Sequence, residues 1–111
     1  MQRFVKTLWL VGDKDAIAAY RHAHDNIWKE ISEGIRSVGV SSMEIYLHGN
    51  LAVMIMELPD DVNVDEAMSR LATLPRQAEW EEYVSTFQQC LPEDTSAEKW
   101  KVMDKIFTLP L

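Results

Sequence analysis

The stretch Y-R-H-A-H-D-N-I-W, Tyr20 to Trp28, sets two histidines two residues apart between a tyrosine and a tryptophan. An imidazole can exchange a proton near neutrality, ligate a metal or simply bond to a neighbour. Three readings of the pair follow: a metal site, one acid/base group beside a bystander, or two surface residues. Helical geometry separates them. At about 100° per residue, with Ile27 at zero, Tyr20 falls at roughly 20°, Ile31 at roughly 40°, His24 at roughly 60° and Trp28 at roughly 100°. His22 falls on the opposite side, towards solvent. A shared metal needs ligands three or four residues apart on a helix, as in H-x-x-x-H, so this spacing disfavours one. His24 is the residue of interest, as a half-buried structural imidazole or as an acid/base group in a pocket wall. Tyr20 and Trp28, one turn to either side, offer a hydroxyl and an apolar plate. That combination suits a sugar, whose rim is polar and whose C–H face is not.

The elements that must position these residues are legible in outline. Arg3 to Val11 is rich in aromatic and β-branched residues and stops at Gly12-Asp13, which predicts a strand and then a helix capped by Asp13. Ala16, Tyr20, Ala23, Ile27, Ile31, Ile35 and Val38 recur at helical spacing, predicting one long helix from Lys14 to Val38 closed by Gly39. Met43 to Leu47 and Leu51 to Leu58 predict a hairpin around Gly49-Asn50. Asn63 with Glu66 predicts a capped short helix through Ala72. Pro75 opens another helix, closed by Pro92. Val102 to Leu109 reads as a last strand.

The order is β-α-β-β-α-β, an α+β ferredoxin-like arrangement. Leu51 to Leu58 is apolar on both faces, and the helices of one small domain cover only one face of a sheet. A second copy of the chain is the economical cover for the other, so a face-to-face homodimer is expected.

Composition excludes several classes. The 111 residues make one domain, residues 1–111, with 47% apolar and 26% charged side chains. Eighteen acidic against 11 basic residues give a net charge of -7, which opposes nucleic acid. The apolar run from Phe4 to Val11 is too short to span a membrane, and no signal-peptide cleavage site follows it. The lone Cys90 reads as a small packed residue, and a reducing, cytoplasmic setting is the default. With only four glycines there is no phosphate-binding loop. Glu79, Glu81 and Glu82 read as surface charge on a solvated helix, and Met54 and Met56 as core. Glu44 shares a strand face with Tyr46, either as an exposed pairing residue or as a ligand for sugar hydroxyls.

Several pieces combine into a pattern: Y-x-x-x-H-x-x-I-W on the first helix, then G-x-x-x-x-x-I-Y-L, a Trp on the later helix and a terminal F-x-L-P. Together they resemble the L-rhamnose mutarotase family over nearly the whole chain. The resemblance implies a dimeric α/β barrel that interconverts the anomers of a 6-deoxy sugar without a cofactor. It matches His24 to the family's proton donor, Tyr20 to a substrate-contacting tyrosine, and Trp80 to the first of a Trp-Trp pair packed on the sugar. Glu44 and Tyr46 are further expected pocket residues. Two positions depart: Glu81 stands at the second Trp, and Met43 at a substrate-contacting Tyr. M-E-I-Y-L with W-E-x-x-x-x-x-F-Q resembles a branch associated with L-fucose, so L-fucose and L-rhamnose are both expected substrates, with the lean towards L-fucose. Mutarotation makes and breaks only C–O and O–H bonds, for which an acid/base group and orienting contacts suffice. Two rival classes share the fold-level pattern: small monooxygenases or haem-degrading proteins, and non-catalytic sugar-binding modules.

Overall fold

The computed structural model describes every residue except Pro92. The chain runs β1 (Gln2–Trp9), α1 (Lys14–Asp25), α2 (Lys29–Ser37), β2 (Ser42–His48), β3 (Leu51–Leu58), α3 (Val64–Leu71), α4 (Gln77–Ser85), α5 (Ser96–Lys99) and β4 (Lys101–Val102). The strands form one antiparallel sheet in the order β2-β3-β1-β4, the ferredoxin-like arrangement. Its register sets which side chains meet the helices. Leu8 pairs with Ala52, Lys6 with Met54 and Phe4 with Met56 in β1 and β3, while Met43 pairs with Met56 and Ile45 with Met54 in β2 and β3. Because side chains alternate across a strand, these residues share one face.

The main core forms on that face, where Leu8, Ala52, Met54, Met56 and Leu58 pack with Val38, Val40, Ala67, Leu71 and Trp100. A second cluster, Leu10, Tyr20, Ala23, Ile31, Trp80 and Val84, joins α1, α2 and α4. On β3 the burial alternates strictly, Ala52, Met54, Met56 and Leu58 being buried and Leu51, Val53 and Ile55 only partly so.

The expected caps form as read. The Asp13 side chain accepts from the Asp15 N–H at 2.9 Å, and that of Asn63 accepts from Glu66 at 3.0 Å. Gly39 follows α2 at φ 107°, where a Cβ would lie 3.2 Å from the Val62 methyls. Only glycine adopts that backbone freely, so the apolar period stops there.

Three expectations need correction. The helix expected over Lys14–Val38 is broken at 26–28. The Asn26 backbone N–H and side-chain amide both donate to the His22 carbonyl, at 3.1 and 3.0 Å, which closes α1, and α2 restarts from Trp28. Asparagine competes for helix hydrogen bonds in this way, while the apolar period of Ile27 and Ile31 runs on across the break. The helix after Pro75 ends at Ser85, and Leu10 then bridges to Gln88, so the chain returns to the sheet. Its expected stop at Pro92 lies outside the described residues. The last strand is only Lys101–Val102, paired with Lys6 and Thr7. Beyond Met103, whose N–H donates to Val5, the tail has no regular structure and leaves Ile106, Phe107 and Leu109 exposed. The short helix α5 was not anticipated, although T-S-A-E, Thr95 to Glu98, carries a complete capping box.

Candidate active site

The helix register carried by Asp13 and the burial of Ala23 turn Tyr20 and His24 to the same side of α1. Tyr20 is 2% exposed and His24 partly buried, whereas His22 is exposed. The rings of Tyr20 and His24 are 4.4 Å apart, and Trp80 of α4 meets His24 edge-on at 5.4 Å. Trp28 packs against Trp80 at 5.3 Å and stacks on Tyr83, with the Arg76 guanidinium 4.1 Å above its ring. The three residues Tyr20, His24 and Trp80 therefore come together as one wall, backed by an aromatic layer.

One hydrogen bond sets the state of the imidazole. His24 Nδ1 lies 2.9 Å from the Tyr20 backbone carbonyl. A carbonyl only accepts, so Nδ1 carries the proton and Nε2 is left free as acceptor, or as donor when the ring is charged.

These residues border a cavity of about 80 Å³ between the sheet and the helices, whose walls include Lys6, Met43, Ile45, Gln77, Glu81 and Gln88. An outer groove of about 440 Å³ adjoins it through the shared walls His24, Ile27, Ile35, Met43 and Ile45. The inner part alone is smaller than the roughly 300–1,000 Å³ usual for a ligand site, whereas the adjoining groove lies within that range.

Not all expected residues reach this cavity. Met43, Ile45 and Leu47 face the helices, so Glu44 and Tyr46 are turned to the opposite side of the sheet, where both are exposed. The structure does not bring Glu44 or Tyr46 to His24. Glu81 moves the other way. Glu79 and Glu82 are exposed as read, but Glu81 lines the cavity and its carboxylate meets the Lys99 ammonium at 2.8 Å. The reading of Glu81 as solvated surface charge is therefore corrected. The Lys99 side chain is 1% exposed and also donates to Gln88 Oε1 at 2.8 Å. Gln88 Nε2 reaches the Tyr20 hydroxyl at 3.4 Å, and Gln77 Nε2 reaches Glu81 Oε1 at 3.1 Å. Burial pushes the Tyr20 phenol up to about 12, the Glu81 carboxylate adding to the rise and the Gln88 hydrogen bond opposing it. Lys6 projects from β1 into the same space, where burial lowers its ammonium below the ordinary lysine value, against the pull of Asp65.

Lys6, Gln88 and Lys99 were missed by sequence reasoning. A signal existed for Lys6, since it alternates with Phe4, Leu8 and Leu10 on the inward side of β1. None existed for Lys99, whose partners lie on another element.

The antiparallel sheet with helices on one face defines the class as ferredoxin-like α+β, and comparison with known proteins gives the family. The family model for L-rhamnose mutarotase matches residues 3–109, and the chain belongs to this family of sugar mutarotases. The chain is 32% identical over 111 residues to an L-fucose mutarotase of Xanthomonas campestris pv. campestris, spanning 98% of this chain and 89% of that one. It is 33% identical over 110 residues to a UPF0734 protein of Dictyostelium discoideum, spanning 96% and 88%. The crystal structure of an L-rhamnose mutarotase from Formosa agariphila superposes with a TM-score of 0.75 at 18% identity, covering 99% of this chain and all of that one. Membership supports a carbohydrate mutarotase enzyme. No helix among the described residues is long and apolar enough to cross a membrane.

Proposed function

We propose that the protein is a mutarotase for a 6-deoxy-L-hexose, with His24 as the group that exchanges protons with the sugar. The observation that carries this reading is the His24 imidazole, anchored at Nδ1 by the Tyr20 carbonyl and bordering the cavity beside Tyr20 and Trp80. In the reaction a base takes the proton of the anomeric hydroxyl as the C1–ring-oxygen bond breaks, and the ring oxygen gains a proton. C1 of the open aldehyde then turns, and the former ring hydroxyl attacks its other face as it gives up its proton, while the carbonyl oxygen takes a proton and becomes the new anomeric hydroxyl. His24 Nε2 serves as the exchanging nitrogen, because Nδ1 is committed to the backbone. The Tyr20 hydroxyl orients a sugar oxygen, and Trp80 supplies an apolar plate for the C–H face.

L-Fucose is the favoured substrate. Glu81 and Met43 in the cavity wall replace the Trp and Tyr expected of rhamnose-type relatives, and the Xanthomonas relative is an L-fucose mutarotase. The working form is a homodimer joined through the free face of the sheet. Val5, Val53 and Ile55 line that face, and Trp9 and Tyr46 on it are 52% and 53% exposed. Glu44 and Tyr46 belong to this face rather than to sugar binding. NMR saturation transfer between anomers across a panel of free aldoses tests the activity. Enzyme-dependent exchange of L-fucose is expected, and no acceleration of any aldose would overturn the reading.

A further inference from the structure

The side chains Gln77, Glu81, Lys99, Gln88 and Tyr20 form one continuous hydrogen-bonded chain along the cavity. Its directions follow from donor chemistry. An ammonium only donates, so the atom of Gln88 facing Lys99 is the oxygen, and the amide nitrogen is thereby turned to Tyr20. That nitrogen donates to the Tyr20 hydroxyl oxygen, so the Tyr20 proton points elsewhere, with the cavity as its outlet. At the other end, Glu81 Oε2 accepts from Lys99 and Oε1 from Gln77, and each oxygen retains a further lone pair. Glu81, 24% exposed, lines the cavity, whereas the Lys99 side chain is 1% exposed and does not, so the carboxylate is the end of the ion pair open to the cavity. A buried ion pair adds little net stability, because desolvation offsets its attraction.

We infer that Lys99 and Gln88 are positioning residues that fix the polarity of the cavity, holding Glu81 as an acceptor for one substrate hydroxyl and Tyr20 as a donor to another substrate oxygen. The inference rests on the mutarotase reading for its substrate class, a polyhydroxylated aldose. It adds that the preference among aldoses is set by a fixed carboxylate acceptor and a fixed phenol donor. Neither end can reverse: Glu81 is held by two donors, and Tyr20 is kept protonated by burial. A sugar whose hydroxyl cannot reach Glu81 leaves a paired acceptor without its ligand and binds less well.

The test is the double variant Glu81→Gln/Lys99→Met, which removes both charges together and leaves neither one buried alone. Melting temperature and circular dichroism report the fold, and anomer exchange gives kcat and KM for L-fucose and L-rhamnose. The expected result is a folded protein whose KM for L-fucose rises at least tenfold and whose fucose-to-rhamnose ratio of kcat/KM changes by a similar factor. A folded double variant with wild-type KM and ratio overturns the inference, since a merely structural pair would be replaced without loss. If the double variant does not fold, the side-chain amide signals of Gln88 in the wild type decide. Displacement by saturating L-fucose supports the inference, and unmoved signals overturn it. Wild-type protein that neither binds nor exchanges any aldose overturns the mutarotase reading and this inference together. An active wild type with an indifferent double variant overturns the inference alone.

Discussion

His24 Nδ1 and the backbone carbonyl oxygen of Tyr20 stand 2.9 Å apart, one helical turn from each other on α1. The imidazole is thus hydrogen-bonded by the backbone carbonyl of Tyr20 rather than by its hydroxyl, while the two rings pack 4.4 Å apart, so the roles of hydroxyl and carbonyl can be separated experimentally. Tyr20→Phe removes the hydroxyl but leaves the carbonyl. The variant should fold, keep the Nδ1-protonated tautomer of His24 by ¹⁵N NMR, and lose kcat/KM by roughly ten- to hundredfold, the effect of about 1–3 kcal/mol for an unmade hydrogen bond. A lost tautomer would mean that the hydroxyl, not the carbonyl, orients the ring.

The same phenol predicts an alkaline loss of stability. Its folded pKa is raised to about 12 from the ordinary 10.0, chiefly by burial. A raised folded pKa contributes stability that is present in full below pH 10 and disappears as pH climbs through about 12. A shift of this size corresponds to roughly 3 kcal/mol at most. Urea titrations between pH 9 and 12 should show the decline in the wild type and a shallower one in Tyr20→Phe. Equal declines in both proteins would assign the effect to other groups.

The free face of the sheet predicts the assembly. Val53 and Ile55 are only partly buried in the single chain, on the side opposite Met54 and Met56. Light scattering at micromolar concentration should give a dimer mass that high salt does not reduce, because an apolar contact is not screened. Ile55→Lys should shift the mass to that of a monomer while circular dichroism stays the same. A wild-type monomer would contradict the proposed assembly.

The parts of this structure that were legible in the sequence were those carried by local periodicity. β3 is an apolar run set off by the Gly49-Asn50 turn, Asp13 and Asn63 are strong caps, and Tyr20 and His24 share a helical face, so the hairpin, the starts of α1 and α3 and the Tyr20–His24 part of the wall could be read, while Trp80 came from the family resemblance. The break at 26–28 was not, because Ile27 and Ile31 continue the helical period across it, and the break is made by Asn26 bonding back to His22. The strand Met43–Leu47 was found, but its phase was not used. Period two sends Met43 and Ile45 to the cavity and therefore Glu44 and Tyr46 away from it. Read locally, Glu81 looked like one of three solvated carboxylates, since its partner Lys99 sits on α5, and only the family resemblance set it apart, at the position of a sugar-packing Trp. Tertiary contacts between distant elements leave no such mark on the sequence.

The cavity chemistry predicts a sugar preference. With Glu81 and Met43 in its wall, anomer exchange of L-fucose should be accelerated at least as well as that of L-rhamnose, and that of D-glucose far less. NMR exchange rates for the three sugars at equal enzyme concentration provide the check. A strong preference for L-rhamnose would show that the two replacements are neutral and would remove the case for L-fucose.

The most direct measurement of the central claim compares His24→Ala with His22→Ala in anomer exchange of the preferred sugar, with circular dichroism as the folding control. His24 borders the cavity with its Nδ1 held by the Tyr20 carbonyl, whereas His22 is exposed and its Nδ1 stands 3.4 Å from the Asn26 side-chain amide. Losing a positioned acid/base group typically costs about 10²–10⁴ in rate. The account predicts a loss of that size in folded His24→Ala and a near wild-type rate in His22→Ala. A folded His24→Ala protein that exchanges anomers at the wild-type rate would contradict it.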